Sequence, residues 1–169
     1  MIVLEKEKEK VIAASDTELD RYRTAKGSGL RTVFFVSTGN SIRSQIAEGL
    51  VNHIFGEKWA AFSAGAIPIP VPDTLTKVML EDGIDLRGRK EKHVATFRDC
   101  EFDLAIVLCS DVDRICPVLP VCDHKEYMIF EDPLSSFMMY EGFCLGFTKA
   151  FRRLRDDMKE ALTAYMQNA

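Results

Sequence analysis

Residues Val36 to Ser44 read Val-Ser-Thr-Gly-Asn-Ser-Ile-Arg-Ser and lie between an apolar run and an amphipathic stretch. That order predicts a strand over Thr32–Val36, a tight loop from Ser37 to Ile42, and a helix opening at Arg43 or Ser44. Free N–H groups at a helix start, together with the helix dipole, attract phosphate-like anions. Thr38, Gly39, Asn40, Ser41, Ile42, Arg43 and Ser44 are therefore the candidate oxyanion-binding residues. Arg43 brings a planar fork suited to two anion oxygens. Gly39 allows a turn that a side chain would hinder, and Asn40 and Ser41 can brace the loop with side-chain hydrogen bonds. A nucleophile belongs at the first loop position, and Ser37 stands there. A hydroxyl needs an adjacent base to attack. The nearby sequence offers none, the three histidines being His53, His93 and His124. Ser37 is expected to bind oxyanions without efficient turnover.

Two further groups could do chemistry. Asp132, in Phe130-Glu131-Asp132-Pro133, either starts a turn or serves as a general acid. Cys109 and Cys116 lie seven residues apart in Leu108-Cys109-Ser110-Asp111-Val112-Asp113-Arg114-Ile115-Cys116-Pro117. They are either buried space-fillers or reactive thiols. Cys100, Cys122 and Cys144 read as structural. Cys116, Cys122 and His124 are close in sequence, but no Cys-x-x-Cys pair accompanies them, so no metal centre is expected.

The elements that would position these groups alternate. Val33-Phe34-Phe35-Val36 is a continuous apolar run, the pattern of a strand buried on both faces. Ile42, Ile46, Leu50 and Ile54 recur as a helical stripe, and Gly56 is a plausible stop. Trp59 to Ser63 reads as a second strand ending in Ala64-Gly65. Pro72 can begin a helix with Leu75, Val78 and Met79 inward and Gly83 at its end. Phe102 to Leu108 predicts a central strand and Tyr127 to Phe130 the last one. Phe147, Phe151, Leu154, Met158, Leu162 and Tyr165 share one face of a long final helix. Strands separated by helices imply a parallel sheet with helices on both sides, and ligands bind at the C-terminal strand edge of such sheets. The loops after Val36, Leu108 and Phe130 should meet there.

Residues 1–30 differ from the rest. Glu5 to Lys10 alternate in charge, as a solvated helix face does. Ser15-Asp16-Thr17-Glu18 could cap a second helical piece, and Gly27-Ser28-Gly29 reads as a flexible break. The chain divides on this reading into a charged helical extension, 1–30, and one domain, 31–169. A hydrophobic fraction of 47% is ordinary for a globular protein, and a net charge of −4 argues against non-specific nucleic-acid binding. No run approaches the roughly 18 apolar residues of a membrane span, and no signal-peptide pattern opens the chain. Five cysteines, an odd number, suggest reduced thiols in a cytoplasmic setting.

The loop resembles that of the low-molecular-weight protein tyrosine phosphatases, and more closely that of their arsenate reductase relatives. Thr38-Gly39-Asn40-Ser41, Arg43-Ser44-Gln45 and Ala47-Glu48-Gly49 carry the likeness, which runs from about Arg31 to the C-terminus. The family's loop has the form Cys, five residues, Arg, Ser; this sequence departs at Ser37. The resemblance implies a three-layer α/β/α sandwich around a four-stranded parallel sheet. It implies that Asp132 protonates the leaving oxygen, and that Cys109 and Cys116 are the second and third thiols of a relay restored by thioredoxin or a similar reductant. Seven residues along a helix span about 10.5 Å, beyond the roughly 7 Å a disulfide tolerates, so the segment would have to unwind for them to pair. Phosphatases of the family place aromatics after the Asp-Pro, where this chain has Leu134-Ser135-Ser136. Some of the reductases bind potassium through residues matching Asn40, Glu48 and Ser63 and a fourth, an aspartate; Lys92 stands at that fourth position here and its ammonium could replace the ion. The expected function is arsenate reductase chemistry with serine at the nucleophile position. No cofactor is implied beyond a bound phosphate, arsenate or sulfate. The alternatives are a tyrosine phosphatase and a non-catalytic oxyanion-binding module.

Overall fold

The computed structural model describes residues 2–115, 118–134 and 143–169, with side chains from Ser15 onward and, in the last segment, from Gly146. A first helix, α1 (Ile2–Gly27), leads into strand β1 (Arg31–Ser37) and helix α2 (Arg43–Ile54). Strand β2 (Trp59–Gly65) and helix α3 (Asp73–Leu80) follow, then a 3-10 turn at Val94–Phe97. Strand β3 (Glu101–Val107), a single turn α4 (Val112–Ile115), strand β4 (Val121–Tyr127) and helix α5 (Phe143–Met166) complete the chain. The four strands form one parallel sheet in the order β2-β1-β3-β4.

The sheet is the middle layer of three. On one face Val33, Phe35, Leu104 and Ile106 meet Ile46 and Leu50 of α2, Val78 and Met79 of α3, and Phe151 and Met158 of α5. On the other face Phe34, Phe62, Phe97 and Phe102 form an aromatic cluster, with Phe34 and Phe102 ring centres 4.9 Å apart. Leu19, Tyr22 and Ala25 of α1 pack against that cluster. Among the described residues no helix is long and apolar enough to cross a membrane.

Several local expectations change. No glycine or proline interrupts Ile2–Lys26, so α1 runs straight through Ser15-Asp16-Thr17-Glu18 rather than restarting there. The Gly27-Ser28-Gly29 stretch is a closed cap: Leu30 N–H bonds to Ala25 O and Gly29 N–H to Lys26 O, with Gly29 at φ +76°. That double bond pattern with a left-handed glycine satisfies the last carbonyls of a helix. Ile54 turns outward at 40% exposure. A four-residue spacing drifts about 40° per step on a 3.6-residue helix, and Val51 takes the buried place instead. Gly83 lies at φ +76°, three residues after α3.

The last strand is not Tyr127–Phe130 but Val121–Tyr127. It is the exposed sheet edge, so its sequence is polar and charged, as edge strands are. The apolar stretch after it still lies along the end of β3, through Met128 N–H to Val107 O (2.9 Å) and Phe130 N–H to Leu108 O (3.1 Å). Among the described residues from Cys109 to Ile115 only Val112–Ile115 is helical, so no full helix spans them. Cys116, Ser135, Ser136 and the side chain of Cys144 fall outside the described residues.

Candidate active site

The chain leaves β1 at Ser37 and crosses to α2 over the end of β2. Gly65 makes the crossing possible: a Cβ there would lie 2.6 Å from Asn40 N and 2.8 Å from Thr38 O. No real side chain tolerates such distances. Gly65 reads in the sequence only as a strand end, and no local pattern there marks the close approach. A strap of alternating prolines then closes over the loop from the other side. Ile67 N–H bonds to Thr38 O, Ile69 N–H to Gly39 O, and the Ser41 hydroxyl to Pro70 O.

The left-handed residue of the loop is Asn40, at φ +48°, rather than Gly39. Asparagine tolerates that region because its short side chain bonds locally. Gly39 is small for a different reason: a Cβ there would meet Ile69 Cδ1 at 3.1 Å. Asn40 is fully buried and fully satisfied. Its Nδ2 donates to Ser44 Oγ (2.9 Å) and Ser63 Oγ (2.8 Å), and its Oδ1 accepts from Lys92 N–H (2.7 Å) and Gln45 Nε2 (3.2 Å). Among the described residues, the N–H groups of Gly39 to Ser44 donate to no protein acceptor.

Ser37 is buried and its Oγ lies 2.7 Å from Ser44 Oγ. Thr38 N–H bonds to Cys109 Sγ at 3.1 Å, and the Thr38 hydroxyl donates to Asp111 Oδ1 at 3.0 Å. Arg43 is buried and crosses to the third loop: Nη1 donates to Phe130 O and Nη2 to Asp132 Oδ2, each at 3.1 Å. Asp132 Oδ1 also accepts from Leu134 N–H at 2.9 Å. The loops after β1, β3 and β4 thus meet at the C-terminal strand edge, with Ser37, Arg43, Cys109 and Asp132 on them. Asp111 was not foreseen. Burial works against its carboxylate, but the hydrogen bonds from the Thr38 hydroxyl, its own backbone N–H and Cys109, together with the Arg43 charge, outweigh that and hold it below the usual range.

Burial pushes the Cys109 thiol up; the Thr38 bonds and the Arg43 charge oppose the shift without reversing it. Cys109 is therefore a thiol at neutral pH. Iodoacetamide is expected to modify it more slowly at pH 7 than a free cysteine, whose reference is about 8.5. Rapid single-site labelling of Cys109 at pH 7, read by mass spectrometry, would contradict this.

Beneath the loop lies Glu48, 1% exposed. Burial alone would raise its carboxyl, but Lys92, Arg21, Arg89 and the Ser63 hydroxyl hold it down at about 2. Lys92 Nζ lies 3.3 Å from Oε2, and Arg21 Nη2 and Arg89 Nη1 lie 2.8 and 3.0 Å from Oε1. Asn40, Glu48, Ser63 and Lys92 are thus one connected group, joined by Ser63 Oγ donating to Glu48 Oε2. The two arginines were not foreseen; Arg21 sits 27 positions from Glu48 in a segment that carried no chemical signal. His93 caps the 3-10 turn, its Nδ1 accepting from Ala95 N–H. Cys100 is buried in the core and Cys122 is half-buried.

The low molecular weight phosphotyrosine protein phosphatase family matches residues 32–168. A protein named arsenate reductase 1 from Staphylococcus epidermidis is 36% identical over 135 residues, 80% of this chain and 95% of its own length. An arsenate reductase from Staphylococcus aureus is 34% identical over the same shares. A solved structure described as an arsenate reductase in the phosphate binding state superposes with a TM-score of 0.67 at 28% identity, over 82% of this chain and 98% of that one. With the match over residues 32–168 and the four-stranded parallel sheet flanked by helices, the chain belongs to the low molecular weight phosphotyrosine protein phosphatase family.

Proposed function

We propose that this chain carries the oxyanion site of an arsenate reductase, occupied at the nucleophile position by Ser37. One observation carries the reading: Cys109 Sγ sits on the amide of Thr38, the residue after Ser37, at 3.1 Å. Phosphate ester hydrolysis has no use for a second thiol there, whereas a thiol relay requires one. The 33–36% identity to proteins named arsenate reductase supports it.

The chemistry follows from electron counting. With a thiol at position 37, its sulfur bonds to arsenic and a hydroxyl leaves as water, protonated from Asp132. The free loop amides and Arg43 hold the remaining oxygens. Cys109, a thiol at rest, gives its proton to an arsenic-bound oxygen as its sulfur attacks the sulfur at position 37, and the sulfur–arsenic bond breaks with its electron pair going to arsenic. Arsenic passes from the +5 to the +3 state and a disulfide forms. Cys116 attacks that disulfide at Cys109, and a thioredoxin-like dithiol reduces the new bond. With Ser37 the first adduct is an oxygen ester. It offers Cys109 no sulfur, so no disulfide forms and no electrons reach arsenic. The chain as it stands binds arsenate, phosphate or sulfate and does not reduce. Weak phosphomonoester hydrolysis belongs to the thiol form of the same loop.

A second reading, a non-catalytic oxyanion-binding module, is favoured by the contacts of Ser37, whose hydroxyl meets only that of Ser44 among the described residues. The discriminating experiment compares thioredoxin-dependent arsenate reduction with aryl phosphate hydrolysis in Ser37→Cys, with and without Cys109→Ala. Reduction that disappears with Cys109→Ala supports the relay. Reduction that persists removes it, and hydrolysis without reduction favours the phosphatase.

Lys92 bears on cation dependence. Its ammonium lies 3.3 Å from Glu48 Oε2, at the place where the family resemblance implies that some arsenate reductases bind potassium. The melting temperature is expected to be the same in potassium and sodium chloride at equal ionic strength. A stabilisation specific to potassium would show that the lysine does not fill that place.

A further inference from the structure

The family match begins at Thr32, yet a side chain from before it reaches under the loop. Arg21 lies on α1. Its Nη1 donates to Ala61 O on β2 (2.9 Å) and its Nη2 donates to Glu48 Oε1 (2.8 Å). Glu18, one turn earlier, accepts from Arg21 Nη2 and Nε and aims the guanidinium. The guanidinium carbon stands 4.0 Å over the Phe62 ring. The two other cations at Glu48 are held less directly. Arg89 Nη1 approaches Oε1 to 3.0 Å but forms no hydrogen bond there, and Lys92 Nζ is 3.3 Å from Oε2. Arg21 makes the only hydrogen bond to Oε1 among the described residues.

The position of that carboxylate matters because of what hangs on it. Glu48 Oε2 takes the proton of the Ser63 hydroxyl, so Ser63 Oγ is left to accept from Asn40 Nδ2. Asn40 spends its other Nδ2 proton on Ser44 Oγ, which lies beside Ser37 Oγ. The chain of bonds runs unbroken from α1 to position 37. A buried carboxylate with a fixed partner on each oxygen cannot rotate, and an asparagine with both donors committed cannot flip.

We propose that Arg21 is a positioning residue for the oxyanion loop, holding Glu48 so that Ser63 and Asn40 keep the loop in its left-handed turn. This deepens the reading of the loop as the oxyanion-binding element and rests on it for the ligand, though not for the geometry. The N-terminal helix is then a working part of the site rather than an appendage.

The test uses the full chain with Arg21→Met, which keeps an unbranched side chain and removes the charge, Arg21→Lys, which keeps the charge, and Arg23→Ala as a surface control. Two readouts are taken: the dissociation constant for inorganic phosphate, and the Asn40 side-chain amide signals in a nitrogen–proton correlation spectrum. Arg21→Met is expected to weaken phosphate binding about tenfold and to speed solvent exchange of the Asn40 side-chain protons. Arg21→Lys should recover part of both, and Arg23→Ala should match the parent. The proposal is overturned if Arg21→Met lowers the melting temperature while Asn40 exchange and phosphate affinity stay at parent values. If the parent binds no phosphate, the oxyanion reading fails, and Asn40 exchange alone then decides the role of Arg21.

Discussion

The Ser37→Cys variant is expected to turn over where the parent chain does not, with a gain on the order of 10⁴-fold or more, the scale seen when an essential nucleophile is added or removed. The environment is already suited to a thiolate. Position 37 is buried beside the Ser44 hydroxyl, two residues before the run of free amides that begins at Gly39, at the mouth of α2. Helix starts and nearby guanidinium groups lower a thiol from about 8.5 into the range 3.5–7.5. The pH profile of iodoacetamide labelling gives a direct measure: two thiols should separate, the introduced one reacting at neutral pH and Cys109 only in alkali, because burial raises Cys109. Arsenite appearing in step with thioredoxin oxidation would complete the result. A variant that labels with the profile of an ordinary cysteine would mean that the loop does not favour a negative charge.

Glu48→Ala is expected to cost about 3–5 kcal/mol of stability, the usual penalty for breaking a buried ion pair by removing one partner. Here the loss touches three cations at once, Arg21, Arg89 and Lys92, of which Arg21 keeps Glu18 as a second carboxylate partner. For a chain of this size each 1 kcal/mol moves the midpoint by about 2–4 °C, so a loss of about 6–20 °C is expected. Glu48→Gln keeps the shape and tests charge alone if the alanine form fails to fold. The pH dependence has a definite sign. The Glu48 carboxyl is held at about 2 in the folded protein against an ordinary 4.5. A lowered folded value means stability that is complete above the ordinary value and is lost as pH falls from there toward the folded one. Urea midpoints measured between those limits should fall with acid in the parent and change much less in Glu48→Gln. Equal slopes would show that Glu48 is not the group responsible.

What the sequence disclosed was what short-range chemistry dictates. The loop from Ser37 to Ser44 was readable because glycine, asparagine, serine and arginine at those spacings have few other uses. The buried strands β1 and β3 were readable because a strand covered on both faces must be apolar throughout. The edge strand β4 escaped because residues on both of its faces are open to water, so hydropathy carried no signal, and the apolar Tyr127–Phe130 stretch drew the reading onward. Long-range placement was beyond local pattern. Nothing in the charged first segment indicated that Arg21 would find Glu48, and nothing at Gly65 indicated that the Asn40 amide would pass 2.6 Å from where its side chain would be. The glycine at position 39 pointed to the right turn but to the wrong residue for its left-handed angle.

The cluster of Phe34, Phe62, Phe97 and Phe102 is closed by Leu19, Tyr22 and Ala25, all of which precede the start of the family match at Thr32. Tyr22 also exchanges two hydrogen bonds with the backbone of Glu101 at the head of β3. Similarity among relatives and self-sufficiency in water therefore draw different borders on this chain. Cutting it where homology begins would strip a lid from four phenylalanine rings and leave a greasy wall facing solvent.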